Sequence, residues 1–242
     1  MKYMRFFGIA LASCVGSAFA QESQVSFSTA FSCNSNPNEG TCLSEPFQSG
    51  QPVVLLKKDN SGVCIGKTGE KYTYEGMDRN YEGTRLIVLG DCSGPFNFAV
   101  VNSQPSSVRL SNDKADTSIL HQREKQARAY LNKIESSFPS GSEEFLVSQN
   151  RPRVLVAGNN VLLAYTMKTN STFGPTVLFL GDHAFVSETN EWCTTGHTFF
   201  YVKEKLHLGY FEVGCGGGYT ASIVRDLSSG TPKEIYVRGR AS

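Results

Sequence analysis

The sequence predicts a mainly β (α+β) protein in which two antiparallel β domains are joined by one amphipathic helix, the second domain being a β-meander. Three features indicate this class. Short apolar segments alternate with turn-forming residues along most of the chain. Aromatic residues make up 11% of it, and 23 of its 242 residues are Gly. One stretch has the 3.6-residue apolar periodicity of a helix, so strands and turns are expected elsewhere.

The N-terminal residues 1–20 have the three parts of a secretory signal peptide. Lys2 and Arg5 supply the positive start, residues 6–15 are mostly apolar, and the Ala-Phe-Ala sequence at 18–20 fits a cleavage site. The apolar run is much shorter than the ~20 residues of a membrane-spanning helix. We therefore expect cleavage after Ala20, a periplasmic or secreted protein, and no transmembrane segment.

Cys14 supports an alternative, because the letters LASC that end there resemble the lipobox of bacterial lipoproteins, in which the Cys becomes the lipidated first residue. A lipid anchor at Cys14 is kept as the less favoured route, since the cleavage site after Ala20 is well formed. Either route leaves six cysteines, and an even number in an exported chain predicts disulfides. These residues are Cys33, Cys42, Cys64, Cys92, Cys193 and Cys215.

A disulfide-braced β domain is predicted over residues 21–112. Its first part, 21–50, is polar and is expected to be a weakly ordered arm held by a Cys33–Cys42 staple. Cys64 and Cys92 are expected to bridge the strands, although the three pairings of these four cysteines stay open. The predicted strands are Val53–Lys57, Val63–Gly66, Tyr72–Glu75, Thr84–Leu89, Phe96–Asn102 and Val108–Leu110.

The stretch SGVCIGKTGEKY, residues 61–72, contains the GKT ending of a phosphate-binding P-loop. The spacing from Gly62 to Gly66 is one residue too short for that motif, and the following KYTYEG favours a strand where a P-loop needs a helix. We interpret the stretch as strand, KTGEK turn and strand. No cofactor is predicted.

A connecting helix is predicted over residues 113–138. Its apolar residues fall on one stripe, and Pro139 ends it. The stripe consists of Leu120, Ala127, Leu131, Ile134 and Phe138. Acidic and basic residues share the other faces, and the net charge of the chain is +1, so no nucleic-acid partner is expected.

The β-meander domain is predicted over residues 151–242. It includes a hairpin of Thr198–Val202 with Leu206–Val213, whose turn at Glu204 would place Cys193 opposite Cys215. Phe199 and Tyr201 alternate with apolar residues on the opposite face, so this sheet is expected to be covered on both sides, by the first domain and helix or by a partner. The remaining predicted strands are Val154–Ala157, Val161–Met167, Thr176–Leu180, Ala184–Ser187, Thr220–Asp226 and Glu234–Val237.

No catalytic residue and no metal site are predicted. The nucleophile motif G-x-S-x-G is absent from the sequence. Adjacent Asp182 and His183 would point to opposite faces of a strand. His197 and His207 would lie ~13 Å apart along the hairpin, too far to share a zinc ion.

The Gly-rich loop before Tyr219 and the nearby aromatic residues are the candidates for recognition, since binding residues gather on loops. The candidate binding residues are Trp192, His197, Gly216, Gly217, Gly218 and Tyr219. The sequence thus predicts an exported, periplasmic, non-catalytic interaction protein. Its expected partner is another envelope protein, for which it would serve as an inhibitor or immunity-type partner. An exported hydrolase with a site near Asp182, His183 and His197 is the alternative, and a cell-wall glycan binder is a third.

Overall fold

In a computed structural model the chain is mainly β, and its sheets are antiparallel, as the sequence predicts. The structure describes residues 24–33, 37–75, 80–111, 125, 129, 153–158, 160–166, 176–180, 183–186, 192–214 and 219–239. The predicted signal peptide lies outside these ranges. So does the predicted helix over 113–138, apart from Lys125 and Ala129, which are helical and exposed and lie off its predicted apolar stripe. In the ranges described, no helix is long and apolar enough to span a membrane.

Six strands close into a barrel in the order β1-β2-β5-β4-β3-β6. They are β1 (Ser26–Ser32), β2 (Thr41–Leu43), β3 (Pro52–Lys57), β4 (Val63–Glu75), β5 (Asn80–Val88) and β6 (Phe96–Val101). Alternate side chains fill the interior, because successive residues of a strand point to opposite faces. Leu43, Val53, Leu55, Ala99 and Val101 are among the residues packed there.

Two expectations for this part of the chain are wrong. The arm predicted over 21–50 contributes β1 and β2 to the barrel. The polar sequence led to the wrong prediction because Ser28 and Ser44, although polar, are buried as a hydrogen-bonded pair. The turn predicted at KTGEK is also absent. β4 continues through this segment, and a bulge between Thr68 and Lys71 takes up one extra residue while pairing with β5 continues.

Two further sheets follow. The five-stranded sheet has the order β15-β14-β13-β12-β7, and the four-stranded sheet has the order β11-β10-β9-β8. Their strands are β7 (Val108–Leu110), β8 (Arg153–Ala157), β9 (Asn160–Thr166), β10 (Thr176–Leu180), β11 (His183–Val186), β12 (Trp192–Val202), β13 (Lys205–Gly214), β14 (Tyr219–Asp226) and β15 (Lys233–Arg238).

The predicted hairpin is confirmed as β12 and β13, with its turn at Lys203 and Glu204. Both turn residues have positive φ, 49° and 61°, as in a mirror-image type I turn that matches the twist of the strands. A bulge between Thr195 and Thr198 shifts the register of the part of the hairpin that is farther from the turn.

The five-stranded sheet lies between the barrel and the four-stranded sheet. On one face, Phe200 and Val224 pack against Val54 and Phe98 of the barrel. On the other, Phe199, Leu208 and Ile223 pack against Ala157 and Leu162 of the four-stranded sheet. Both faces of the five-stranded sheet are therefore covered, as the alternation of apolar residues predicts. The second face is covered by the four-stranded sheet of this chain, whereas the prediction named the helix or a partner.

The strand β7 belongs by sequence to the predicted first domain, yet it pairs with β12 in the five-stranded sheet. Barrel residues and sheet residues also share one apolar cluster. The division of the chain into domains at 112 and 151 remains a prediction.

Candidate functional site

The outer face of the barrel carries three large aliphatic side chains that are exposed to solvent. Ile65 on β4 is 42% exposed, and Ile87 on β5 and the following Leu89 are each 46% exposed. The backbone N–H of Leu89 donates to the carbonyl of Ile65 over 2.8 Å, which places these two residues side by side. Ile87 lies opposite Lys67 on the same face. We call Ile65, Ile87 and Leu89 the barrel-face patch.

The patch points outward because successive side chains of each strand point to opposite faces. Cys64 and Leu86, the neighbours of Ile65 and Ile87 in sequence, pack inside the barrel. Ile65 pairs directly with Val54, whose side chain packs against the five-stranded sheet. The barrel-face patch thus extends the apolar surface that the barrel already uses for contact.

A disulfide braces the chain at both ends of the patch. Cys64 precedes Ile65 and bonds to Cys92, which follows Leu89 by three residues. Gly69 lies beside Ile87, since a Cβ atom there would be 3.6 Å from Ile87 Cγ1, so no side chain from that position covers the isoleucine. The patch is therefore presented on a crosslinked surface, and binding to it requires little ordering.

Charged side chains lie next to the patch on β4 and β5. Lys67 is exposed beside Ile87. Arg85 Nε lies 3.5 Å from Glu70 Oε1, and Arg85 Nη1 donates to the carbonyl of Glu39 over 3.2 Å. An apolar centre with a charged rim is the usual arrangement of a protein–protein contact.

The disulfides Cys33–Cys42 and Cys64–Cys92 are present, which selects one of the three pairings left open by the sequence. The third predicted pair is untested. Cys193 lies opposite Val213 in the hairpin, and Cys215 is outside the described residues.

The candidate residues near the hairpin lie apart from the barrel-face patch. Trp192 is on β12 opposite Gly214, and Tyr219 is on β14 opposite Val213. His183 begins β11 at the far edge of the four-stranded sheet. Asp182, Gly216, Gly217 and Gly218 are outside the described residues.

His197 and His207 are both buried, at 2% and 4% exposure, and lie on opposite faces of the five-stranded sheet. The ring of His197 stacks on Tyr210, on the side of the four-stranded sheet, and its Nε2 is 3.1 Å from Thr194 Oγ1. The ring of His207 stacks on Phe200 and lies tilted against Phe27, on the barrel side. The two rings cannot share a ligand. Among the residues described, no group of three or more His, Cys, Asp or Glu side chains is placed to hold a metal ion.

Acidic pH is expected to destabilise the fold through His207. Burial holds the pKa of its imidazole below the ordinary 6.5, and Asp226 opposes this shift. Below about pH 6.5 the imidazole binds a proton more readily in the unfolded chain than in the folded one. The free energy of unfolding should therefore decrease as the pH is lowered, by up to about 1.4 kcal/mol per pH unit. Urea titrations between pH 5 and 7 measure this slope. His207→Leu, which does not titrate, should flatten it, and an unchanged slope in that variant would contradict the assignment.

The barrel-face patch is not among the residues singled out from the sequence. It lies within two predicted strands, Val63–Gly66 and Thr84–Leu89, but alternation alone does not say which face is buried. The usable signal is the unbroken apolar run LIVL at residues 86–89, which places apolar residues on both faces of β5.

Comparison of the chain with models of protein families, with curated proteins and with solved structures gave no match.

Proposed function

We infer that this protein is an exported, non-catalytic binding protein that engages another protein of the cell envelope through the barrel-face patch. The observation that carries the inference is the patch itself, three aliphatic side chains that remain 42–46% exposed beside a disulfide. Contiguous exposed apolar side chains with a polar rim are typical of interaction sites. In its finer form, the inference is that the chain acts as an inhibitor or immunity-type partner.

Burial of the patch would contribute measurably to the affinity of a contact. Burying a whole Leu or Ile side chain contributes about 1.5–3 kcal/mol. Because each patch residue has nearly half of its surface left to bury, a contribution of about 1 kcal/mol each follows. Together they would account for roughly a hundredfold in affinity.

Export is supported by the two disulfides, which fit an oxidising compartment. The signal peptide with cleavage after Ala20, and the alternative lipid anchor at Cys14, concern residues outside the described ranges. Both remain proposals based on the sequence.

The hydrolase alternative is less well supported. It needs His197 as an acid or base within reach of a substrate. That imidazole is 2% exposed and lies against Thr194 and Tyr210. We therefore favour binding over catalysis.

Ile87→Glu is expected to weaken partner binding by roughly 10- to 100-fold, because it places a charge at the centre of the apolar contact. The partner is first captured from the native envelope with the wild-type chain and identified by mass spectrometry. Its affinity for purified wild-type and variant chains is then measured by calorimetry. Thermal melting should be nearly unchanged, since Ile87 is exposed.

Ile235→Glu is the matched control, because Ile235 is 39% exposed on a different sheet. It should bind the partner as the wild type does. Equal affinity of the Ile87→Glu and wild-type chains would refute the patch as the contact. Turnover by the purified chain in a hydrolase panel, abolished by substitution of His183 or Asp182, would refute the non-catalytic proposal.

A further inference from the structure

The four-stranded sheet has a second face, which points away from the five-stranded sheet. Leu155, Ala157 and Leu162 pack against the five-stranded sheet. Val156 and Val161 lie opposite each other on β8 and β9. Because successive residues of a strand point to opposite faces, these two valines are on the second face, which we call the outer face.

The outer face is apolar from one edge of the sheet to the other. The four strands pair residue for residue, so the register carries this face from β8 across to β11. The other residues that the register places on it are Val154, Leu163, Tyr165, Val177, Phe179, Ala184 and Val186. None of the described residues on the outer face is charged, whereas the inner face includes Arg153 and His183. A face of this composition is larger than the apolar patches that soluble proteins usually leave in water.

The two valines of the outer face are buried. Val156 is 8% exposed and Val161 is 6% exposed. Neither belongs to the apolar cluster between the two sheets, so the five-stranded sheet does not account for their burial. Another segment of this chain therefore lies over the outer face.

The connection between β7 and β8 begins and ends beside this face. Ser111 continues the pairing of β7 with β12, since its N–H donates to the carbonyl of Phe199 over 3.1 Å. Its hydroxyl donates to the carbonyl of Val156 over 2.5 Å. The chain returns at Arg153, where β8 begins. The connection thus leaves and re-enters the fold at one edge of the four-stranded sheet.

The connection contains a segment with an apolar side, the helix predicted over 113–138. Lys125 and Ala129 within it are helical and exposed. At 3.6 residues per turn, both lie roughly 150–190° around the helix axis from the centre of the predicted apolar stripe. The side in water is therefore the side opposite the stripe, as expected if the stripe packs on the protein. The stretches 167–175 and 187–191, which join the strands of this sheet, are short and mostly polar.

We propose that the segment 113–138 crosses the outer face of the four-stranded sheet as a helix and packs its apolar stripe against Val156 and Val161. Such a helix is ~39 Å long, and four strands are ~14 Å across, so one helix crosses the whole sheet. Residues 139–152 extend over up to ~46 Å, which is enough to return the chain to Arg153. The helix is then an outer layer of the fold and not a free link between domains.

Maleimide labelling of introduced cysteines tests which side of the helix is covered. In the mature full chain, Leu131→Cys should react roughly 100-fold more slowly than Ala129→Cys, because Leu131 belongs to the stripe and Ala129 is exposed. Labelling in urea corrects for intrinsic reactivity, and the wild-type chain gives the background. Equal rates for the two variants in the folded chain would overturn the proposal.

A double-mutant cycle tests which face of the sheet receives the helix. Leu131→Ala and Val161→Ala together should lower Tm by less than the sum of their separate shifts, by roughly 2–6 °C, because each removes the same contact. Leu162→Ala is the matched control, since Leu162 is the next residue but packs on the opposite face. Its shift should add to that of Leu131→Ala. Shifts of Val161→Ala that add to those of both Leu131→Ala and Ile134→Ala would overturn the docking face.

Repeating the labelling at several protein concentrations identifies the chain that supplies the helix. Protection of Leu131→Cys that is independent of concentration supports packing within one chain. Protection that is lost on dilution would assign the cover to a second copy and overturn the proposal. The inference goes beyond the proposed function: the five-stranded sheet separates this face from the barrel, so failure here leaves the barrel-face patch standing.

Discussion

Removing the Cys64–Cys92 crosslink by the double substitution Cys64→Ala and Cys92→Ala should lower the free energy of unfolding by about 3–4 kcal/mol. The two residues are 28 positions apart, so loss of the crosslink frees a long loop and raises the entropy of the unfolded chain. Cys64 is also 1% exposed inside the barrel, where its loss removes packing. A drop of about 2–4 °C in Tm per kcal/mol is expected, measured by calorimetry.

The pair Cys33→Ala and Cys42→Ala is the internal control. Its loop is only 9 positions long, so the entropic loss should be about 1 kcal/mol smaller. Urea titration of both double variants against the wild type compares them directly. Equal losses would contradict the loop-length argument, and no loss on removing Cys64 and Cys92 would contradict the brace itself.

Gly196→Ala is expected to cost about 3 kcal/mol of stability, from backbone strain and overpacking together. Gly196 lies at the bulge of β12 with φ of 66°, a region that favours glycine. A Cβ atom at this position would be 2.6 Å from Cδ2 of Phe211. That ring cannot easily withdraw, because it stacks on Phe98 of the barrel with centroids 4.9 Å apart.

Gly230→Ala separates the two causes. Gly230 has a similar φ of 75°, but nothing lies within 4 Å of a Cβ atom there, so only the backbone strain of about 1 kcal/mol applies. Chemical denaturation of the two variants gives the difference. If the two variants lose the same free energy of unfolding, the contact of a Cβ atom at position 196 with Phe211 does not contribute to the cost, and the packing argument is wrong.

Local pattern predicted the strands that are apolar and bounded by turns. The strand over Val53–Lys57 is confirmed to within one residue. The β12–β13 hairpin and its turn at Glu204 are also confirmed, although β12 begins six residues earlier than predicted. The pattern failed for β1, whose buried Ser28 is satisfied by Ser44 from a distant strand, and for β4, whose polar KTGEK segment continues as a strand because β5 pairs with it. Burial of polar residues and continued pairing depend on partners that a window of sequence does not contain.

The barrel-face patch shows the same division. That Ile65, Ile87 and Leu89 lie on strands follows from their sequence context. That they face solvent depends on how far the five-stranded sheet extends over the barrel, since Val54, the direct partner of Ile65, is covered. Exposure is thus a property of the packed layers and not of the residues.

Composition, alternation and cysteine spacing determined by themselves that the chain forms short antiparallel strands crosslinked by disulfides, because side-chain size and φ, ψ preference act over a few residues. The tertiary structure alone decided that six of these strands close into a barrel, and that the five-stranded sheet is enclosed on both faces. It also decided which isoleucines remain in water. The reason is physical: closure and burial depend on contacts between segments that are far apart in sequence, such as Thr29 with Tyr236, which are 207 residues apart.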